Sequence, residues 1–285
     1  MKNIVLFHEN CTDGSGAALA AFLKFRENAI YIPVNYNKPL PEIESGSNIF
    51  ILDFSYPKET LISLNDRSNS LIVLDHHKTA MDQLRGLPFA QFDMDKSGAM
   101  LAWEYFHKDQ QPPELIKIIQ DRDLWKFKIE DTRKVTSVLK GIKDFREYEK
   151  HLYDTSELLT EAPYLMKYES AVVDSFVSKA VVGEWDGALC AVVNVTGLFS
   201  EVGEKLYTDY AIDFAAMYFV TSEGHMVFSL RSNSFDVSNH AVKHKTINGG
   251  GHKFASGMSV RIDEGAAILK DIYANAQPIE KYRKK

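Results

Sequence analysis

Cysteine is scarce in this sequence: of 285 residues only Cys11 and Cys190 carry a thiol. Two thiols so far apart make neither a disulfide framework nor the Cys-x-x-Cys spacing of a zinc site, so a bound metal would have to be held by oxygen and imidazole. Long apolar runs are missing as well. After one lysine the amino terminus offers only IVLF before His8, too short for a secretory leader or a membrane span, and a cytoplasmic protein with no membrane partner is expected. An excess of positive charge is also absent. The net charge is -6 and the pI about 5.9, which argues against a broad basic face gripping long nucleic acids but leaves room for a local cationic pocket. The one dense basic cluster, the tail KYRKK, reads as a solvated terminus. No fixed-period repeat and no low-complexity segment is present.

What is there belongs to a soluble globular protein: 45% hydrophobic and 25% charged residues, over a length for which two domains are the usual outcome. In the first half, β-rich runs NIVLF (3–7), AIYIPV (29–34), NIFIL (48–52) and SLIVL (70–74) alternate with the helix-like GAALAAFLKF, ETLISL and GAMLAWEYF. Repeated β-α units predict a parallel sheet with right-handed crossovers. The pattern from Ala162 to Ala180 predicts one amphipathic helix, with Pro163 in its first turn, serving as a connector. After it come ALCAVVNV, FAAMYFV and HMVFSLRS, strand-like runs that predict a mixed sheet. The expected fold is therefore α/β, with a parallel-sheet domain at 1–155, a connector helix at 156–183 and a smaller mixed-sheet domain at 184–285.

The chemistry gathers at strand ends. The first run leads into FHENCTDGSGAA with His8 and Asp13, the third into ILDFS with Asp53, and the fourth into LDHH with Asp75, His76 and His77. Parallel strands point their carboxyl ends the same way, and that edge is where open α/β sheets bind ligands. IKIIQDRDLW adds Asp121 and Asp123, two aspartates of which the sequence does not say which points inward. Any one of these positions alone would be read as a helix cap, an Asx turn or a surface histidine. Several carboxylates at one edge repel each other unless a cation lies among them. Oxygen and imidazole donors favour manganese or magnesium, with enough ligands for two ions. Ions roughly 3.5–4 Å apart activate water and clamp an in-line phosphoryl displacement.

These motifs resemble those of the DHH phosphoesterase family: HENCTDG its first, ILDFS its second, LDHH its third and DRDLW its fourth. In the second half FSLRS, SFDVSNHA and NGGGHKFASG resemble the strand with its Arg-Ser pair and the GGGH run of its DHH-associated domain, in the family's order and across nearly the whole chain. The resemblance implies an active site in the cleft between a DHH domain and its associated domain. It implies that His8, Asp13, Asp53, His76 and Asp123 are metal ligands with Asp53 bridging, and that Asp75 is metal-associated. Asp121 and Cys11 are weaker metal candidates, while His76, His77 and Asp53 are catalytic. Arg231, Ser232, Gly249, Gly250, Gly251 and His252 would bind substrate, the glycines as a phosphate nest of backbone amides and Arg231 through its planar fork. Phe54, Tyr56 and Trp125 are aromatic neighbours for stacking a base or for packing a core.

One departure is visible: the family's Asp-x-Asp reads Cys-Thr-Asp here, with Cys11 in the first position. The expected activity is manganese-dependent hydrolysis of short single-stranded RNA or DNA oligonucleotides to nucleoside 5′-monophosphates. Alternatives are a linear or cyclic dinucleotide or adenosine 3′,5′-bisphosphate phosphoesterase, and a nucleotide binder whose catalysis Cys11 has weakened. A family II pyrophosphatase also carries DHH but lacks GGGH. A homodimer is compatible with apolar surface on the connector helix.

Overall fold

Alternation along the first strand explains the layering around it. In β1 (Asn3–His8), Ile4 and Leu6 pack into one hydrophobic cluster while Val5 and Phe7 pack into another, because successive side chains leave opposite faces. The same division holds for Ile49 and Ile51 against Phe50 and Leu52, so the sheet is covered on both faces, as a parallel sheet requires. The computed structural model describes every residue except Asn37 and Lys285. It divides into Met1–Met166 and Lys167–Lys285.

In the first unit β1 is followed by α1 (Thr12–Phe25), β2 (Ala29–Val34), β3 (Asn48–Leu52), α2 (Lys58–Arg67), β4 (Ser70–Asp75), α3 (Lys78–Leu84) and β5 (Ala90–Phe92). Helices α4 (Gly98–Phe106), α5 (Glu114–Asp123) and α6 (Thr132–Leu139) complete it. The five strands run in the order β2-β1-β3-β4-β5, all parallel. The chain leaves β1 to one side and returns on the other with β3, and that reversal makes the crevice beyond the ends of β1 and β3 the binding position of such sheets. Fully buried Ala17, Ala18, Ala20 and Ala21 let α1 lie close on the sheet.

The amphipathic pattern read from Ala162 to Ala180 differs from the helix observed. Helix α7 spans Ser156–Val177, starting earlier than Ala162, because Asp154 Oδ1 accepts from the Ser156 amide (2.9 Å) and Leu158 and Ala162 bury in the first unit's core. Pro163 therefore lies inside the helix, where it removes one ladder bond. Val173 and Val177, further along, belong to a core of the second unit.

In that second unit β6 (Val181–Trp185), β7 (Ala188–Asn194), α8 (Phe199–Asp209), β8 (Phe214–Val220), β9 (His225–Arg231), α9 (Val237–His244), β10 (Asn248–Gly251), β11 (Ala255–Arg261), α10 (Ile262–Tyr273) and β12 (Gln277–Pro278) follow one another. The sheet order is β10-β11-β9-β8-β7-β6-β12, antiparallel except for β7 beside β8. The mixed sheet was expected; four of its strands were not, since β6, β10, β11 and β12 carry Gly, Ser or Pro where an apolar alternation would have marked them. The tail is pinned rather than free: Arg283 bridges Tyr210, and Lys284 donates through its amide to Asp209 O and through Nζ to Tyr207 O, each at 2.8 Å. Lys285 of that basic cluster lies outside the described residues. Among the described residues no helix is long and apolar enough to cross a membrane.

Candidate metal centre

The strand ends converge as their direction requires. His8 closes β1, Asp53 follows β3, Asp75 closes β4 with His76 next to it, and Asp123 is the last residue of α5. His76 Nε2 lies 3.3 Å from Asp53 Oδ1, 3.4 Å from Asp123 Oδ2 and 3.6 Å from Asp13 Oδ2, while His8 Nδ1 lies 3.6 Å from Asp53 Oδ2. One Asp53 carboxylate thus faces His8 with one oxygen and His76 with the other, the arrangement expected of a bridging ligand. Asp13, Asp53, Asp75 and His76 are at most 1% exposed.

Local chemistry fixes each group. Asp13, in the first turn of α1, accepts from the Gly98 amide (2.6 Å) and the Ala99 amide (3.0 Å), the first two of α4, so a helix amino terminus fixes its carboxyl group in place. Ser97 caps the same helix by accepting from the Met100 amide (3.3 Å). Asp53 has φ 55, the left-handed region that aspartate tolerates better than most residues. Its carboxylate is admitted because position 98 is glycine: a Cβ there would stand 2.4 Å from Asp53 Cβ. No sequence pattern had drawn attention to Ser97 or Gly98, which lie far along the chain from the aspartates they serve.

The electrostatics describe a site built around positive charge. Burial, then Asp123 and Asp53, pushes the Asp13 carboxyl well above its ordinary range. Burial also opposes charge on His76, but Asp123, Asp53 and Asp13 outweigh it and raise its pKa to about 11. For Asp53 the influence of His76 and His8 overcomes burial and lowers the pKa. His8 Nδ1, Asp53 Oδ2, Asp75 Oδ2 and Asp123 Oδ2 are buried with no hydrogen-bond partner. Buried polar atoms are rarely left so. Donor atoms of His8, Cys11 and Asp53 lie mutually within 4.8 Å, as do those of Asp13, His76 and Asp123 and those of Asp53, Asp75 and His77. Orphaned oxygen and nitrogen donors in overlapping sets fit a divalent cation, which would keep the carboxylates ionised and the imidazoles neutral. Cys11 stands among the donors, yet burial and then Asp53, Asp13 and Asp123 push its thiol well above 9, so without a cation it stays protonated.

The two aspartates of DRDLW separate cleanly. Asp121 accepts from the Lys128 amide (2.9 Å), the Ile129 amide (3.0 Å) and Thr132 Oγ1 (2.6 Å). Its carboxylate ties the end of α5 to the start of α6, whereas Asp123 faces His76. Asp75 Oδ1 holds His77 through its amide (3.2 Å) and Nδ1 (2.7 Å) and also accepts from the His76 amide (2.7 Å). Phe54 and Tyr56 are core residues at 1% and 6% exposure. Trp125 and Phe127, bulky residues at φ 55 and 48, carry Arg122 and Arg133 over their rings at 4.0 and 3.5 Å. Tyr36, overlooked in the sequence, is 44% exposed and lies edge-on to His8 at 5.5 Å between ring centres.

In the second unit the glycine run is a strand and not a nest. Gly249, Gly250 and Gly251 pair with Met258, Gly257 and Ser256 of β11. The φ values of Gly250 and Gly251, 156 and 134, bend it as only glycine allows. Arg231 donates to Ser200 Oγ (3.3 Å), Leu230 O (2.9 Å) and Ser256 O (3.4 Å), and Ser256 Oγ donates to His252 O (2.6 Å), so Arg231 and the end of the run share a neighbour. Ser232 is 4% exposed; it donates to Asp213 O and accepts from the Ser234 and Phe235 amides, a turn-forming role.

No family model matches the sequence. An uncharacterized protein of Acanthamoeba polyphaga mimivirus is 28% identical, over 90% of this chain and 67% of its own length. Among solved structures, the DHH domain of a member of a ribosomal-protein family is similar over 99% of this chain and 88% of that one, with TM-score 0.60 and 13% identity. RecJ of Thermus thermophilus in complex with manganese is similar over 96% of this chain and 52% of that one, with TM-score 0.54 and 14% identity. An exonuclease RecJ bound to manganese matches over 96% and 89%, with TM-score 0.53 and 15% identity. The chain has the two-part α/β fold of these DHH proteins, and the likeness supports the family resemblance that its motifs carry.

Proposed function

We propose that this chain, on the DHH fold, is a metal-dependent phosphodiesterase that hydrolyses short single-stranded oligonucleotides to nucleoside 5′-monophosphates, with manganese as the preferred ion. The observation that carries the reading is the cluster His8, Asp13, Asp53, His76 and Asp123 at the sheet edge, in which His8 Nδ1, Asp53 Oδ2 and Asp123 Oδ2 are buried without a hydrogen-bond partner. A bound divalent ion supplies a water of lowered pKa and neutralises charge on phosphoryl oxygens. The chain's own part is positioning. Asp53 is held by its left-handed backbone and by Gly98, Asp13 by the amides of α4, and His77 by Asp75, so His77 offers an oriented imidazole to the scissile phosphate. In the second unit Arg231, the Gly249–Gly251 strand and His252 are proposed to hold a terminal phosphate. A net charge of -6 supports short substrates over long ones.

The test is product analysis with manganese and end-labelled RNA and DNA from dinucleotides upward, beside pyrophosphate and adenosine 3′,5′-bisphosphate, with His76→Ala as control. Release of mononucleotides, fastest on the shortest strands and lost in the control, is expected. Faster attack on long strands would make it a processive exonuclease. Nucleotide binding without turnover would make it a binder, with the neutral Cys11 thiol as the reason.

A further inference from the structure

We infer that Asp186, His240 and His244 form a second metal site, wholly within the Lys167–Lys285 unit, for a zinc-class divalent ion. The inference does not depend on the phosphodiesterase reading, because it uses none of the residues given a metal or substrate role there.

Local structure delivers the three side chains together. Asp236 starts α9 by accepting from the Ser238 amide (3.1 Å), and the helix then carries His240 and His244 four residues apart, on one face. Their ring centres are 4.9 Å apart. The two-residue turn Asp186-Gly187, with φ 52 and 80, joins paired Trp185 and Ala188 and fixes where Asp186 stands. One nitrogen of each imidazole and one Asp186 oxygen lie mutually within 4.8 Å. His244 Nε2 and Lys243 Nζ both meet Asp186 Oδ2, at 2.5 and 2.6 Å.

The second observation is His240 itself. It is 7% exposed, and its Nε2 is buried with no partner. It packs against the rings of Trp185, Phe214 and Phe235, where an apolar side chain would bury at no polar cost. An orphaned imidazole in an aromatic pocket, facing a second imidazole and a carboxylate, is explained by an ion. Lys243, its side chain 64% exposed, occupies the cation's place and can withdraw into solvent. Two imidazoles and a carboxylate suit zinc, with a fourth position left for water.

The ion would staple α9 to the β6–β7 hairpin. That helix also supports the glycine strand, since a Cβ at Gly249 would stand 2.7 Å from Ala241 O. The full chain is stripped with chelator and titrated with zinc alone by equilibrium dialysis, in an Asp53→Asn background that cripples the DHH-motif cluster. One tightly bound zinc is expected, weakened at least about 100-fold by His244→Gln or by Asp186→Asn, at side chains that are 20% and 32% exposed. Nickel should quench Trp185, 4.6 Å from the His240 ring, in the background protein and not in the His244→Gln variant. Equal zinc affinity with and without His244, or quenching indifferent to it, would overturn the site.

Discussion

Two regions rich in polar side chains follow opposite rules. Around the strand ends of the first unit, His8, Asp53, Asp75 and Asp123 carry buried donor atoms with no hydrogen-bond partner. Around Arg231 and the glycine strand of the second, hydrogen bonds reach backbone and serine oxygens, and the glycines complete a ladder. The first region is built incomplete and calls for an ion. The second is built complete, and binding there would exchange existing contacts for new ones. Burial alone does not separate them; the account of unmet partners does.

The contrast breaks most completely at its centre. Asp53→Asn should lower kcat/KM by more than about 100-fold, beyond the loss of an outer-shell partner. The rise in Tm on adding manganese should vanish with it, while the metal-free Tm holds or increases as repulsion is relieved. A metal-induced shift that survived the substitution would remove the distinction between the two regions. Loosening the support of the same carboxylate comes next: Gly98→Ala forces a methyl against Asp53 and should cost about 1–3 kcal/mol in denaturant unfolding, together with metal affinity.

The neighbouring pair Asp121 and Asp123 brings the contrast down to two residues. Asp123→Asn should abolish metal-dependent turnover with unfolding little changed, whereas Asp121→Asn should lose about 1–3 kcal/mol of stability as its three donors lose a charged acceptor. Burial would raise the Asp121 pKa, but Thr132 and the two amides lower it. A carboxylate with a folded pKa below its unfolded value stabilises above the unfolded value and ceases to do so as pH falls through the folded one. Acid unfolding of the native chain below about pH 4 should therefore flatten in Asp121→Asn. Smallest is Asp75→Asn, which loosens His77 and should reduce kcat by about 10–100-fold with metal stoichiometry intact, measured by dialysis beside steady-state kinetics.

The sheet and the aspartates and histidines gathered at its strand ends were legible because Ile4 to Phe7, Ile49 to Leu52 and Leu71 to Leu74 are unbroken apolar runs that stop at Asp or His. The choice between Asp121 and Asp123 was not. It turns on where α5 ends and on amides from the loop before α6, which no periodicity reports. The tether from Asp13 to α4 was hidden for the same reason: it joins a side chain to backbone groups of a distant segment. The glycine run misled in another way, since glycine permits a nest and a bent strand alike, and the partner strand that decides between them carries Gly, Ser and Met where an apolar alternation would have announced it.

That strand has a consequence for solution behaviour. The larger sheet ends on one side in β10, four residues with a bent glycine backbone, and on the other in β12, two residues including Pro278. Neither border offers a long, flat row of amides for a further strand to copy, so the sheet is self-terminating. Copies of this chain, however concentrated, are thereby discouraged from stacking edge to edge into fibres.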